Sequence, residues 1–208
     1  MGREFNHLVF GLLLGVLGLT IALLYLESKK TTLPILKVDP CQKGVAVRMA
    51  INSFHLRTCV IRPVLKDLGL WSPIAENLLL GTAAQESHMG TYLDQADPTI
   101  EGPALGIFQI EVTTHDDVWE NYLAYQENYA RVVRSYSLPT YSYKQLAGNL
   151  YYGAAVARLI YRRVKEPLPT DPNDIKAMAR YWKLNYNTSL GKGTVEEFEA
   201  NYKRYVNL

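Results

Sequence analysis

Glu86 is the residue whose type and position most clearly allow chemistry. It ends the segment "GTAAQE", residues 81–86, and the glycine-rich segment "GPALGIFQIE" follows at residues 102–111. A helix C-terminus carries partial negative charge and apolar neighbours disfavour an ionised carboxyl, so both raise the pKa of a glutamate placed there. A carboxyl that stays protonated near neutral pH can act as a general acid toward a glycosidic oxygen. A solvated glutamate at a helix end is the alternative.

The residues around these two segments resemble the lysozyme-like superfamily, with most similarity to goose-type lysozymes and soluble-type lytic transglycosylases. In those families a helix ends in Glu-Ser, and a loop or hairpin leads to a Gly-x-x-Gln-hydrophobic segment that lines the sugar groove. The matching residues here are Glu86-Ser87 and the segment 106–110, "GIFQI". The resemblance implies that Glu86 is the catalytic acid and that Gln109 bonds a sugar amide or hydroxyl. It also implies that Gly106 allows close backbone approach to substrate and that Ser87 is a further substrate-binding candidate.

The same families have a late Ala-x-Tyr-Asn-x-Gly segment whose tyrosine points at the catalytic glutamate. The nearest stretch here is "AMARYWKLNYNTSLGKG", residues 177–193. Tyr181 is the candidate for that tyrosine, although Trp182 follows it where the families have Asn. Tyr186-Asn187 gives the literal Tyr-Asn pair and is the rival candidate. This stretch and "GPALGIFQIE" resemble the variants found in phage-encoded members.

The number of carboxylates separates two mechanisms. Retaining and inverting glycosidases use a second carboxylate, whereas the resemblance to lytic transglycosylases implies a single acid that closes a 1,6-anhydro ring on the sugar. Glu111 stands where goose-type lysozymes have an aspartate, and Asp97 and Glu101 lie in the intervening loop. We predict a single-acid transglycosylase that cleaves MurNAc–GlcNAc β-1,4 bonds of peptidoglycan. Hydrolysis through Glu86 and Glu111 is one alternative, and a non-cutting glycan-binding or virion structural protein is another.

The elements that must position these residues are mostly helices. The sequence predicts a mostly α, lysozyme-like domain over 41–208, with a short hairpin around "LGIFQI". An early helix is predicted to stop near a proline, and capping residues predict the later helix starts. These positions are Pro63 for the stop, and Ser72-Pro73, Thr114 with Asp117, Ser142 with Gln145, Asp171-Pro172 and Thr194 with Glu197 for the starts.

The N-terminal segment predicts a membrane anchor. Leu8 to Leu26 contains no charged residue, and as a helix it would reach roughly 28 Å, about one hydrocarbon thickness. We therefore expect a transmembrane anchor at 1–27 and a linker at 28–40. The lysines after the anchor outnumber the basic residues before it, which favours a cytoplasmic domain. Peptidoglycan cleavage instead requires the periplasmic side of a bacterial inner membrane, or a virion membrane, and the sequence leaves this conflict open.

The composition of the chain limits the classes of partner that it can bind. The net charge of +2 and the lack of a long basic run exclude a nucleic-acid surface, so we expect glycan strands, lipid, and virion or envelope proteins as partners. The two cysteines, Cys41 and Cys59, are too few for a disulfide scaffold or a zinc site, and their pairing stays open. His115 and the two aspartates after it fit the first turn of a helix better than a metal site. No metal or cofactor is expected.

Overall fold

The computed structural model of the chain describes residues 50–93, 104–139, 142–187 and 191–206. The predicted anchor, the linker and Cys41 lie outside these residues, and so do Asp97 and Glu101. Within the described ranges, no helix combines the length and apolar character that crossing a bilayer requires.

Helices dominate the described ranges, which confirms the mostly α prediction. The predicted hairpin is present as two short strands, β1 (Ala104–Leu105) and β2 (Ile110–Glu111), which pair antiparallel. In chain order the helices are α1 (Ser53–His55, the π-helical Leu56–Ile61 and Arg62–Asp67), α2 (Pro73–Ser87), α3 (Val112–Asn121), α4 (Glu127–Tyr136), α5 (Leu150–Arg162), α6 (Ile175–Trp182) and α7 (Val195–Tyr205), with 3₁₀ segments at Leu123–Tyr125 and Tyr143–Ala147 and a π-helical turn at Lys183–Asn187.

Helix α2 is the central element of the core. Its apolar residues are spread around the whole helix, so burial on every side is the expected outcome, and it packs against α1, α5, α6 and α7. The helix begins as predicted, because the Ser72 side chain accepts a hydrogen bond from the Ala75 N–H. It ends where His88 adopts a left-handed conformation with φ of 50°. The central helix therefore delivers Glu86, in its last turn, to one end of the core.

A buried carboxylate joins α1 to α2. Glu76 is 2% exposed and accepts hydrogen bonds from Arg57 Nη1 (2.7 Å), from Arg62 Nε and Nη2 (both 2.8 Å) and from Trp71 Nε1 (2.9 Å). Burial alone would raise the pKa of Glu76, but these hydrogen bonds and the Arg62 charge lower it to about 2. Glu76 is thus ionised in the folded state and fixes the start of the helix that carries Glu86.

The predicted helix stop near Pro63 is wrong. Helix α1 runs through that position, since the π-helical Leu56–Ile61 leads directly into Arg62–Asp67. In a regular α-helix the missing proline N–H would have bonded the Cys59 carbonyl, and in the structure Tyr151 Oη donates to that carbonyl at 2.7 Å. A side chain distant in sequence therefore donates to the carbonyl that a proline N–H would have bonded in a regular α-helix.

The predicted helix starts are of mixed accuracy. Thr194 begins α7 with a complete capping box, as predicted. Thr114 does not begin a helix, because α3 starts at Val112, directly after β2. Ser142 begins the 3₁₀ segment Tyr143–Ala147, and α5 starts separately after the Asn149 cap. Helix α6 is capped by Asp174, three residues beyond the predicted Asp171.

Candidate active site

A polar cleft of about 260 Å³ opens beside the C-terminal end of α2. The hairpin, the first turn of α3, α5 and the π-helical turn after α6 complete its walls. It brings together five residues that the sequence predicts for the site or names as rivals, namely Glu86, Gln109, Glu111, Tyr186 and Asn187. The lining residues are Glu86, Gln109, Ile110, Glu111, Thr114, Ile160, Tyr186, Asn187 and Gly191.

The Glu86 carboxyl is half-buried and has one strong partner. Its Oε1 accepts a hydrogen bond of 2.8 Å from the indole Nε1 of Trp182, a side chain that is fully buried. Burial raises the pKa of Glu86 to about 7, although the Trp182 hydrogen bond acts in the opposite direction. A large fraction of Glu86 is therefore protonated at neutral pH, which is the condition for a general acid.

Tyr186 occupies the wall beside Glu86. Its Oη donates to the Phe108 carbonyl at 2.8 Å, and its ring centroid lies 5.1 Å from that of Tyr161. Burial raises the pKa of Tyr186, and the nearby Glu86 charge raises it further, so the phenol stays neutral. Tyr186 thus couples the turn after α6 to the hairpin and lies within electrostatic range of the acid.

Tyr181, the first candidate for this tyrosine, does not line the cleft. Its side chain is 8% exposed, and its Oη donates to the Glu166 carbonyl at 2.9 Å. The geometry therefore favours the rival pair, Tyr186 with Asn187, over Tyr181. Lys183 Nζ donates to Asn187 Oδ1 and to the Gly191 carbonyl, both at 2.7 Å, and so holds this wall in place.

Gln109 lines the cleft from the hairpin turn. Its backbone lies in the left-handed region with φ of 44°, a strained conformation for a residue with a side chain. Its Nε2 donates to the Gly106 carbonyl at 2.9 Å. An amide has two N–H groups and a carbonyl oxygen, so Gln109 keeps hydrogen-bonding capacity toward a ligand in the cleft.

Gly106 has a different role from the predicted one. Its φ is 76°, and a Cβ built on it would lie 1.9 Å from the Leu146 carbonyl oxygen. The close approach that glycine permits is therefore made to the 3₁₀ segment Tyr143–Ala147, and Gly106 does not line the cleft. Gly106 positions the hairpin rather than the substrate.

Ser87 is likewise a positioning residue. It is fully buried, its Oγ donates to the Ile107 carbonyl at 2.7 Å, and it accepts from the Gly90 N–H at 2.8 Å. The residue next to the acid thereby ties the end of α2 to the hairpin turn that carries Gln109. The predicted contact with substrate does not fit this position.

Glu111 is exposed and lines the cleft at the point where β2 ends and α3 begins. His115, four residues later, is engaged internally. Its Nδ1 lies 2.8 Å from Asp116 Oδ1, and its Nε2 lies 2.7 Å from Tyr152 Oη. In the described part of the chain no group of three or more His, Cys, Asp and Glu side chains is placed to hold a metal ion.

Comparisons with protein-family models, with curated proteins and with solved structures found no match to this chain.

Proposed function

We propose that this chain is a peptidoglycan lytic transglycosylase with a lysozyme-like domain, in which Glu86 is the single acid and base. The observation that carries the proposal is the Glu86 carboxyl itself. Its pKa is raised to about 7, Trp182 fixes one of its oxygens, and it lines a polar cleft with Gln109 and Tyr186. A surface glutamate would have neither the desolvation nor the fixed partner.

In the first step, neutral Glu86 donates its proton to the glycosidic oxygen between MurNAc and GlcNAc. The C1–O bond then breaks, and the GlcNAc-bearing fragment leaves as an alcohol. The positive charge on the MurNAc ring is shared with its own N-acetyl oxygen, which is why a second carboxylate is not required. Glu86 ends this step as a carboxylate.

In the second step, the Glu86 carboxylate accepts the proton of the muramoyl 6-hydroxyl. That oxygen attacks C1 and closes the 1,6-anhydro ring, so no water is consumed and the acid is regenerated. A pKa of about 7 suits both steps, because the same group must give up and then accept a proton within one turnover. Gln109 and Asn187 offer amide groups to the sugar hydroxyls and N-acetyl groups in the cleft.

Hydrolysis is the second candidate, and one observation favours it. Glu111 lines the same cleft as Glu86, so its carboxylate can activate a water molecule against C1. The products then carry a solvent oxygen at the MurNAc reducing end. Glu111 has no part in the single-acid route, which makes it the residue that separates the two mechanisms.

We place the catalytic domain on the peptidoglycan side of a membrane. The apolar segment Leu8 to Leu26 supports a bilayer anchor, and the substrate lies in the periplasm or outside a virion membrane. This arrangement suits a phage or virion protein that opens the cell wall, with virion or envelope proteins as neighbours.

Product analysis tests the proposed reaction. Purified peptidoglycan is digested in ¹⁸O-water by the full chain and by Glu111→Gln, and the released muropeptides are analysed by mass spectrometry. We expect anhydro-MurNAc ends without ¹⁸O, produced equally by both proteins. Reducing ends that carry ¹⁸O and vanish with Glu111→Gln would establish hydrolysis instead. Intact peptidoglycan across a range of pH and salt would overturn the enzymatic proposal and favour a glycan-binding or structural protein.

A further inference from the structure

Trp182 is the one side chain seen to hydrogen-bond the Glu86 carboxyl within the described residues. An indole N–H can only donate, so the 2.8 Å contact requires Glu86 Oε1 to act as an acceptor. In a protonated carboxyl the carbonyl oxygen is a much better acceptor than the hydroxyl oxygen. The contact therefore makes Oε1 the carbonyl oxygen of the acid form and leaves the proton on Oε2.

The indole is held so that it cannot turn away. Trp182 is 0% exposed, and its ring centroid lies 5.3 Å from that of Phe198 on α7. Gly193 also packs against the ring, because a Cβ built there would lie 2.7 Å from Trp182 Cη2. The donor direction is thus set by packing from two elements before any substrate arrives.

We infer that Trp182 is the positioning residue of the catalytic acid, whose indole N–H keeps the transferable proton on Glu86 Oε2 and stabilises the carboxylate left after its transfer. This inference rests on the proposed function of Glu86 as the acid and base. Trp182 itself touches no reacting atom in this scheme, and it acts only through the carboxyl that it holds.

The Trp182 N–H also affects the charge state of Glu86. A donor hydrogen bond stabilises a carboxylate more than a neutral carboxyl, so Trp182 opposes the desolvation that raises the pKa of Glu86. Without the N–H, the acid would release its proton less readily in the first step. Trp182 therefore limits how far burial can raise the pKa of Glu86.

Other groups face Glu86 and have to be considered. Among the described residues, Tyr161 from α5 and Tyr186 from the turn after α6 lie within electrostatic range of Glu86, and Glu111 from β2 lines the same cleft. Burial raises the pKa of both tyrosines well above 10, so neither titrates near neutral pH. Lys183 is already bound to Asn187 and Gly191. Glu111 shares the cleft, so the titration is repeated in Glu111→Gln.

The test replaces the indole N–H by a group that cannot donate a hydrogen bond. Trp182→benzothienylalanine exchanges the indole N–H for sulfur and keeps the shape of the ring, so packing against Phe198 and Gly193 is retained. The pKa of Glu86 is read by ¹³C NMR titration of its carboxyl carbon in the full chain, which needs no substrate. We expect that pKa to rise by about one pH unit, because the carboxylate loses one hydrogen bond from a neutral donor. The pH above which the rate of peptidoglycan cleavage falls should rise by the same amount.

A matched control uses Trp119, a second tryptophan whose N–H donates to a side chain away from the cleft. Trp119 Nε1 donates to Tyr152 Oη at 2.8 Å, and Trp119 does not line the cleft. Trp119→benzothienylalanine should therefore leave the pKa of Glu86 unchanged. Gly193→Ala gives a second variant, in which a Cβ displaces the indole, and it should raise the pKa of Glu86 in the same direction.

The inference is overturned if the pKa of Glu86 stays at its wild-type value in Trp182→benzothienylalanine, or if it falls. If that variant does not fold, Gly193→Ala decides in the same way. Failure of the proposed function is a separate result, since a chain that cuts no peptidoglycan still reports the pKa of Glu86. A shifted pKa without any cleavage would support Trp182 as the hydrogen-bond partner of Glu86 and would overturn the proposed glycosidase activity.

Discussion

Replacing Glu76 by glutamine should destabilise the fold that presents Glu86. The variant keeps the size of the side chain but removes the charge that faces Arg57 and Arg62. The pKa of Glu76 falls from its ordinary value of 4.5 to about 2, and each pH unit corresponds to about 1.4 kcal/mol, so the charge contributes roughly 3 kcal/mol at neutral pH. Loss of one partner from a buried ion pair has a similar cost. The melting temperature of a chain of this size should fall by roughly 6–12 °C.

The sign of the pH dependence follows from the lowered pKa. The stabilisation is complete above pH 4.5, where an unfolded glutamate is also ionised, and it is lost as the pH falls to about 2. The difference in the free energy of unfolding between wild type and Glu76→Gln should therefore shrink through this acid range. Urea unfolding of the full chain, followed by circular dichroism at several pH values, measures that difference.

The control is Glu127→Gln, which removes an exposed ion pair with Arg134 at 2.9 Å. Solvent screens such a pair, so this variant should cost less than about 1 kcal/mol at any pH. The account of the buried cluster would be refuted if Glu76→Gln behaved like Glu127→Gln. A loss of stability that stayed constant down to pH 2 would also refute it, because packing rather than charge would then be responsible.

Two further sets of variants test the walls of the cleft. Gly106→Ala should cost about 2–4 kcal/mol in the free energy of unfolding, since its φ of 76° and the Leu146 carbonyl both oppose a Cβ; a cost below about 1 kcal/mol would contradict the close approach. Tyr186→Phe removes the hydrogen bond to the Phe108 carbonyl and should slow peptidoglycan cleavage by roughly three- to tenfold. Tyr181→Phe should leave that rate nearly unchanged, and equal losses in the two variants would argue against the choice of Tyr186.

The site could be predicted from sequence where the information is local. Glu86 ends a helix whose start is set by the Ser72 cap, and Gln109 lies within a short motif of the hairpin, so both could be placed without knowledge of distant contacts. The resemblance assigns Ser87 and Gly106 to substrate, but in the structure Ser87 donates to the Ile107 carbonyl and Gly106 lies against the Leu146 carbonyl. A sequence pattern does not show which carbonyl a hydroxyl or a glycine will meet.

In the sequence, Trp182 stands out only as a departure from a motif, although its chemistry offers a clue. A buried indole N–H needs an acceptor, and α6 brings Trp182 next to the end of α2. The choice between Tyr181 and Tyr186 depended on the π-helical turn Lys183–Asn187, which turns the second tyrosine toward the cleft. Neither feature follows from residue spacing, because both depend on how α6 packs.

Helix boundaries can likewise be predicted from sequence only where the contacts that set them are local. Thr194 caps α7 through bonds within four residues, so its sequence suffices. Pro63 lies inside α1, where Tyr151 from α5 donates to the Cys59 carbonyl. A local rule fails at this position because tertiary contacts satisfy the backbone in a way that the local sequence does not encode.

Cleavage by Glu86→Gln is the most direct test of the central claim that Glu86 supplies the proton. Glutamine keeps an acceptor for Trp182 Nε1 but has no acidic proton, so the variant should fold, and it should still co-sediment with purified peptidoglycan. We expect release of soluble muropeptides to fall by at least about a hundredfold relative to wild type. Muropeptide release by Glu86→Gln at a rate close to that of wild type would contradict the account.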